Sequence, residues 1–216
     1  MTARRLFEAG AGLYAWYTEN ATWTASCAAL ADHLPSRPRR LLDLGCGPGT
    51  TLQALGGQLP GTALAGGDLA RRMLTHARQR LRQGGIVVSL LQLDARHLPF
   101  ADQSFDGVTG HSFLYLVDDA QAVLDEVRRV LRPGGRAAFM EPAIRYVSPR
   151  AVWRFSHDAR FLMSVLLWRV MSRRHRRFDA VSLPATLGAA GLTDLQAAAV
   201  LGGLGVIGSG ARPADA

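Results

Sequence analysis

The feature that most constrains the fold of this chain is a glycine-rich turn at residues 45–49, directly after a short apolar run. The run, residues 41–44, is apolar except for Asp43. Glycines occupy alternate positions of the turn, and Thr50 then opens a helical pattern. Glycine allows unusual backbone dihedrals and the close approach of a ligand. Strand, turn and helix in this order predict the first unit of a doubly wound α/β sheet.

The glycine spacing and the acid before it distinguish between two kinds of ligand. A dinucleotide-binding turn has the pattern G-x-G-x-x-G, whereas here the third glycine comes one residue earlier. A carboxylate at Asp43 would repel a pyrophosphate but suits a ligand that carries an ammonium or sulfonium charge. The segment D-L-G-C-G-P-G at residues 43–49 closely resembles motif I of class I S-adenosylmethionine (SAM) dependent methyltransferases. The resemblance implies cofactor contacts by Asp43, Gly45, Cys46, Gly47 and Gly49.

Two further acids follow the next predicted strands. Because strands 1 and 2 are neighbours, Asp68 should lie beside the glycine turn, where a carboxylate can accept both hydroxyls of a ribose. The segment after Asp68 resembles the family, with Ala70 where serine is usual, and so does D-A-R-H-L-P-F from Asp94. The resemblance implies that Asp94 accepts from the adenine amino group. Helix capping by Asp68 and a turn role for Asp94 remain alternatives. The cofactor prediction also includes Leu69 and Ala95.

Two later segments strengthen the resemblance. They are S-F-D-G-V-T-G at residues 104–110 and L-R-P-G-G-R at residues 131–136, and both are characteristic of the family. Ligands in open α/β sheets bind outside the carboxyl ends of the strands, so the loop after strand 4 should line the transfer site. This places His111 at the cofactor and Tyr115 at the substrate.

The full pattern predicts one α/β domain over residues 1–216. The expected fold is a Rossmann-like, doubly wound, seven-stranded sheet in three α/β/α layers, mostly parallel with an antiparallel last strand. Residues 1–34 should form a helical lid, and residues 143–180 a substrate-recognition insert. The predicted strands are 39–44, 62–68, 86–93, 104–110, 136–140, 192–200 and 204–208, and the predicted helices are 50–57, 71–81, 120–131, 149–160, 160–176 and 183–190.

The two predicted peripheral segments supply the substrate candidates. In the resembled family an N-terminal helix often folds over the cofactor, which points to Tyr14, Tyr17 and Asn20, although an ordinary helix packed on the sheet is an equal alternative. The insert combines large apolar residues with arginines. We predict substrate contacts by Arg145, Trp153, His157 and Phe161.

Charge is concentrated in the insert. All 25 basic residues of the chain are arginines, and nine of them lie between Arg145 and Arg177 against one acid, Asp158. Three interpretations remain open: a solvated basic face, docking of a basic amphipathic helix on an anionic membrane, or an anionic substrate held by arginine. The longest apolar stretch, residues 161–168, is too short to span a bilayer.

Other observations limit the class of protein. With only Cys27 and Cys46, the chain has no disulfide framework, and we expect a reducing, cytoplasmic location. The D/N-P-P-Y/F motif of base-methylating enzymes is absent, as is a Pro-Cys nucleophile pair. We therefore expect no specific nucleic-acid partner. We also expect no metal site, and a monomer or homodimer.

The resulting functional prediction is a SAM-dependent methyltransferase with a core like that of ubiquinone/menaquinone-type C-methyltransferases. It would methylate a small hydrophobic or aromatic acceptor, in specialised metabolism, and release S-adenosyl-L-homocysteine (SAH). His157, His111 and Tyr115 are the candidates for a general base where the acceptor needs one. The alternatives are a membrane-associated lipid or quinol methyltransferase, and a SAM-binding cyclase of the same fold that transfers no methyl group.

Overall fold

The structure, a computed structural model, describes residues 3–173, 175 and 177–214, with backbone only for residues 3–7 and 9. It contains seven strands, which are β1 (Arg40–Leu44), β2 (Ala63–Asp68), β3 (Val88–Gln92), β4 (Phe105–His111), β5 (Leu131–Pro142), β6 (Thr193–Val200) and β7 (Gly205–Ala211). The α-helices are α1 (Ala3–Thr18), α2 (Ala21–Ala28), α3 (Thr50–Gln58), α4 (Arg71–Gln83), α5 (Ala120–Val130), α6 (Pro149–Phe155), α7 (Ala159–Ser172) and α8 (Ser182–Ala189).

The strands form one sheet in the order β3-β2-β1-β4-β5-β7-β6. All neighbouring pairs are parallel except those of β7, which runs antiparallel to both β5 and β6. This confirms the predicted Rossmann-like fold class with an antiparallel last strand. The strand order reverses between β1 and β4, so the carboxyl ends of these strands open a crevice for ligands.

Helix patterns in the sequence explain how the sheet is covered. In α5, Val123, Leu124, Val127 and Val130 recur at the spacing of one helical face, and all four are buried. Asp119 caps this helix, because its Oδ1 accepts from the backbone N–H of Ala122 at 3.0 Å. The apolar stripe and the cap together fix α5 against the sheet.

Several predicted boundaries were wrong, and those of β5, α6 and α7 differ most. Helix α6 ends at Phe155 and not at residue 160, because the backbone of Ser156 is extended. Strand β5 begins at Leu131 and not at residue 136, because Leu131 pairs with Phe105 before an irregularity in the ladder. The backbone of Arg212 then bonds to Gly134 and Gly135, which ties the intervening turn to the end of β7. Helix α7 ends at Ser172 and not at residue 176; Arg174 and Arg176 of the predicted helix lie outside the described residues.

The N-terminal helix α1 lies between α4 and α7. Its Glu8 accepts from the first backbone N–H of α4, at Arg71 (2.7 Å), and its Ala11 packs against α4. On the other side, the hydroxyl of Ser164 in α7 donates to the carbonyl of Tyr17 at 2.6 Å. Helix α1 therefore joins α4 to α7. None of the helices in the described ranges is long and apolar enough to cross a membrane.

Candidate active site

A cleft of about 520 Å³ lies at the carboxyl edge of the sheet, and we call it the main cleft. The ends of β1, β2 and β4 and the loop after β3 supply its walls, as the parallel topology requires. It brings together eight residues that the sequence singled out: Tyr14, Gly45, Gly47, Asp68, Leu69, Asp94, Ala95 and His111.

The three glycines of the turn all have positive φ, but their surroundings differ. A Cβ on Gly45 (φ 61°) would lie 2.4 Å from the ring of Phe113, so this glycine allows the ring to cover the turn. Gly47 (φ 50°) faces the main cleft. A Cβ on Gly49 (φ 84°) would lie 3.1 Å from Ala77 in α4, and Gly49 does not line the cleft. The absence of a side chain at Gly49 therefore allows the turn to pack closely against α4.

Asp68 fastens the turn to the end of β2. Its Oδ2 accepts from the N–H of Gly47 at 2.9 Å, and its Oδ1 accepts from the N–H of Ala70 at 2.8 Å. Burial raises the pKa of Asp68, and these two amide bonds oppose that rise. The carboxylate lines the main cleft, where its remaining lone pairs can accept from a ligand.

Asp43 and Cys46 lie behind the cleft wall. The Asp43 carboxylate is buried and accepts from the hydroxyl of Thr109 at 2.7 Å, which joins β1 to β4. Burial raises the pKa of Asp43 to about 7, against the effect of that bond. The N–H of Cys46 donates to the carbonyl of Gly67 at 3.0 Å. Neither side chain is part of the cleft surface: the Asp43 carboxylate bonds within the sheet, and the Cys46 backbone holds the turn to β2.

Asp94 also lines the main cleft and is partly exposed. Arg96 holds its carboxylate with a fork, Nε to Oδ1 at 3.0 Å and Nη2 to Oδ2 at 2.6 Å. The Arg96 guanidinium lowers the pKa of Asp94. An ionised acceptor is therefore present where the sequence predicted contact with an amino group.

His111 is buried between two hydroxyls. Its Nε2 is 3.0 Å from Oγ of Ser26, and its Nδ1 is 3.1 Å from Oγ of Ser112. Burial lowers the pKa of His111 to about 3, so the imidazole is neutral and weakly basic. Burial also raises the pKa of Tyr115, which favours a neutral phenol. In these environments, both residues are suited to position a ligand and poorly suited to remove a proton from it.

The sequence analysis missed Glu141, which organises the loop after β4. This fully buried side chain accepts from the N–H groups of Phe113 (3.2 Å), Leu114 (2.7 Å) and Tyr115 (3.2 Å). Burial raises its pKa to about 8, although the three amide bonds oppose the change. Its partners lie 26 to 28 residues earlier in the chain, so no local pattern could have indicated them.

The pKa of Glu141 leads to a prediction about stability. Folding raises this pKa from 4.5 to about 8, so the associated stability is full below pH 4.5 and is lost as the pH rises towards 8. His111 acts in the opposite sense, but only below its ordinary pKa of 6.5. Between pH 6.5 and pH 8 the titration of Glu141 should lower the free energy of unfolding by about 1–2 kcal/mol.

The Glu141→Gln variant should show a shallower decline across the same window, measured by urea unfolding at each pH. Asp43, whose pKa also rises, remains in both proteins and accounts for the residual slope. Equal slopes in parent and variant would show that the three amide bonds keep Glu141 ionised in the folded protein.

A second, much smaller cavity lies between α1 and α7, and we call it the aromatic crevice. It has about 10 Å³ of space, enough for one water molecule at most. Tyr14 lines both this crevice and the main cleft, so the two adjoin. The indole Nε1 of Trp168 is buried and has no hydrogen-bond partner within the described part of the chain. The crevice is lined by Tyr14, Tyr17, Thr18, Trp23, Tyr115, Ser164, Leu167, Trp168 and Met171.

The structure does not bring the other predicted substrate residues to either cavity, and substrate contact by these residues stays a prediction. Asn20 caps α2, with its Oδ1 accepting from the N–H of Trp23 and its Nδ2 donating to the carbonyl of Tyr17. Phe161 is fully buried in the core, because it lies on the inner face of α7. The other three, Arg145, Trp153 and His157, are exposed and line neither cavity.

Known proteins match the part of the chain that forms most of the main cleft. A family model described as a methyltransferase domain matches residues 42–139. The ubiquinone/menaquinone biosynthesis C-methyltransferase of Desulfotalea psychrophila is 38% identical over 121 residues, which cover 55% of this chain and 48% of that protein. The chain spans about half the length of the curated relatives that it matches first.

Solved structures share the fold over nearly the whole chain. The [4+2]-cyclase SpnF superposes with a TM-score of 0.75 and 18% identity, covering 97% of this chain and 94% of that one. A Haemonchus contortus phosphoethanolamine N-methyltransferase in complex with SAM has a TM-score of 0.69 and 20% identity, covering 92% of this chain and 46% of that one. At these identities, the likeness establishes the fold alone.

Proposed function

We propose that this chain, which carries the domain of a class I SAM-dependent methyltransferase, transfers a methyl group from SAM to a small hydrophobic or aromatic acceptor. The observation that carries the proposal is the convergence of Gly47, Asp68 and Asp94 on one cleft. The aromatic crevice adjoins that cleft through Tyr14. A cofactor site and an acceptor site can therefore share one boundary.

The main cleft suits SAM in size and chemistry. Its volume of about 520 Å³ falls within the range of small-molecule sites, about 300–1,000 Å³. Asp68 would receive the ribose hydroxyls and Asp94 the adenine amino group. Leu69, Met73 and Ala95 line the same cleft and provide apolar surface for the purine.

Methyl transfer from SAM requires the protein mainly to position the two reactants. Bound SAM supplies a methyl group on a sulfonium, which already has a good leaving group. The chain then has to hold the acceptor in line with that methyl and exclude water. His111, neutral and bonded to Ser26 and Ser112, is suited to shaping this region and poorly suited to taking a proton.

The acceptor should enter the aromatic crevice, which must widen to admit it. Most of the crevice wall belongs to two helices, α1 and α7, whose separation sets its width, and Trp23 and Tyr115 complete the wall. We propose that the N–H of Trp168 then donates to an oxygen of the acceptor, since this buried donor otherwise lacks a partner in the described structure.

Product mass tests the proposed reaction. The protein is incubated with methyl-labelled SAM and a panel of lipophilic phenols and quinols, and the products are analysed by mass spectrometry. Gain of one labelled methyl group supports the proposal. Conversion of an acceptor to an isomer of unchanged mass would instead support a cyclase of the same fold. If the protein binds SAM but yields neither product over a broad panel, that result would contradict the proposed acceptor class.

The Trp168→Phe variant tests the acceptor contact. It keeps a buried ring but removes the donor, so we expect KM for the acceptor to rise about tenfold with unchanged affinity for SAM. The matched control is Trp153→Phe, which alters an exposed indole that lines neither cavity. Steady-state kinetics should leave the control at parental values. Equal KM values for Trp168→Phe and the parent would contradict the proposed contact.

A further inference from the structure

We propose that the outer face of α7, together with the arginines around it, docks this protein on an anionic lipid bilayer. This surface lies outside both cavities. Docking would determine where the protein works, and the bilayer is a partner beyond those of the proposed function.

Helix α7 is apolar on both of its faces. Its inner face buries Phe161, Val165 and Trp168 in the core. Its outer face presents Met163, Leu166 and Val170 to solvent, at exposed fractions of 44%, 57% and 54%. Their spacing of three and four residues places these side chains on one stripe of the helix. Helices that are apolar all round normally lie in a core or in a membrane, so this outer stripe requires a partner.

The apolar stripe continues onto α1. The guanidinium of Arg160, one turn before Met163 and Ser164, lies 4.8 Å from the centre of the Trp16 ring. Trp16 is half exposed, and Leu13, one turn earlier on α1, is 59% exposed. Indole and leucine side chains on two adjacent helices form the kind of surface that inserts into the headgroup and acyl boundary of a bilayer.

The charge of this region is positive and is not neutralised internally. No ion pair that the structure describes involves an arginine between Arg145 and Arg177. The single acid of the window, Asp158, is occupied as the cap of α7, where Oδ1 accepts from the N–H groups of Arg160 and Phe161. The nearby Glu19 faces Arg80.

Some arginines elsewhere in the chain form ion pairs within the protein. Arg96, Arg129, Arg132 and Arg136 each bond to a carboxylate of the protein itself. Within the insert, Arg160, Arg169 and Arg177 donate to backbone carbonyls, and these bonds leave their positive charges without a neutralising carboxylate among the described residues. A nucleic acid or an acidic protein would use the charges but not the apolar stripe. A bilayer of anionic lipid uses both, because arginine stems can lie along apolar surface while their heads contact phosphates.

The stripe also borders the aromatic crevice. Leu166 and Val170 are followed directly in the helix by Leu167 and Met171, which line that crevice. Given the proposed function, a lipophilic acceptor dissolved in the bilayer would reach the crevice without crossing water. Docking itself needs no acceptor and no cofactor.

Vesicle binding tests the docking surface. The full chain is centrifuged with vesicles of phosphatidylglycerol mixed with phosphatidylcholine, and separately with phosphatidylcholine alone. We expect binding to the anionic vesicles to exceed the neutral case by about tenfold or more and to weaken in high salt. Leu166→Glu should reduce anionic binding about tenfold. Its matched control, Val87→Glu, changes a residue that is 92% exposed in the loop between α4 and β3.

A second pair of variants isolates the charge. Arg154→Glu should reduce binding to the anionic vesicles about tenfold, whereas Arg78→Glu on α4 makes the same change in net charge outside the window. Equal binding to both vesicle types would overturn the proposal. So would equal losses within either pair, which would indicate nonspecific polyanion binding. Thermal unfolding and SAM titration of each variant separate these results from misfolding and from failure of the proposed methyltransferase function.

Discussion

The Asp68→Asn variant should bind SAM about 100-fold more weakly than the parent protein, or weaker still. The expected loss comes from two charge-assisted hydrogen bonds to ribose hydroxyls, at about 1.5–3 kcal/mol each, with tenfold in affinity for each 1.4 kcal/mol. Asparagine also presents an N–H group towards the donor N–H of either Gly47 or Ala70, since both now bond to the carboxylate. Isothermal titration calorimetry measures the affinity.

The matched control for this variant is Asp106→Asn. Asp106 also accepts from two backbone N–H groups, those of Arg39 and Arg40, at 2.7 Å each. It lies at the start of β4, at the edge of the sheet opposite the main cleft. We expect the control to lose stability and to keep its SAM affinity. If the two variants bound SAM equally well, Asp68 would be a structural support only.

The Gly45→Ala variant should both unfold more easily and lose most of its affinity for SAM. A left-handed φ costs an L-residue about 1–2 kcal/mol, and overpacking adds about 1–3 kcal/mol. The added Cβ would lie 2.4 Å from the Phe113 ring, which must move away from the turn. Because Phe113 also lines the main cleft, this movement should deform the cofactor site.

The Gly61→Ala control separates the free-energy cost of the left-handed φ from the cost of overpacking. Gly61 also has a left-handed φ, 84°, but a Cβ there would meet no atom within 4 Å. Urea unfolding should therefore show about 1–2 kcal/mol of destabilisation in the control, a larger loss in Gly45→Ala, and parental SAM affinity in the control. Equal unfolding free energies for the two variants would contradict the assigned contact between Gly45 and Phe113.

Sequence reasoning predicted which residues the strand ends bring to the main cleft. Asp68 and Asp94 follow apolar runs, and parallel pairing brings the ends of such runs to one edge. That logic needs only the periodicity of the chain and the right-handed connections of a doubly wound sheet. Placement of these acids in one cleft with Gly47 follows from the same topology.

The same reasoning could not locate residues whose roles depend on tertiary contacts. Glu141 reads as the end of a strand, and only the packed sheet brings it under the loop after β4. Phe161 and Leu166 look alike in an apolar run, but one lies in the core and the other on the surface. Asn20 is different, because a local signal existed: asparagine before a helical segment indicates a cap, and the lid interpretation overlooked it.

The most direct test of the central claim is a crystal structure of the protein with SAH. The account predicts SAH in the main cleft, with both ribose hydroxyls within hydrogen-bond distance of the Asp68 carboxylate and the adenine amino group facing Asp94. Under saturating ligand, an empty main cleft or SAH bound elsewhere would contradict the account, and only the fold would remain established.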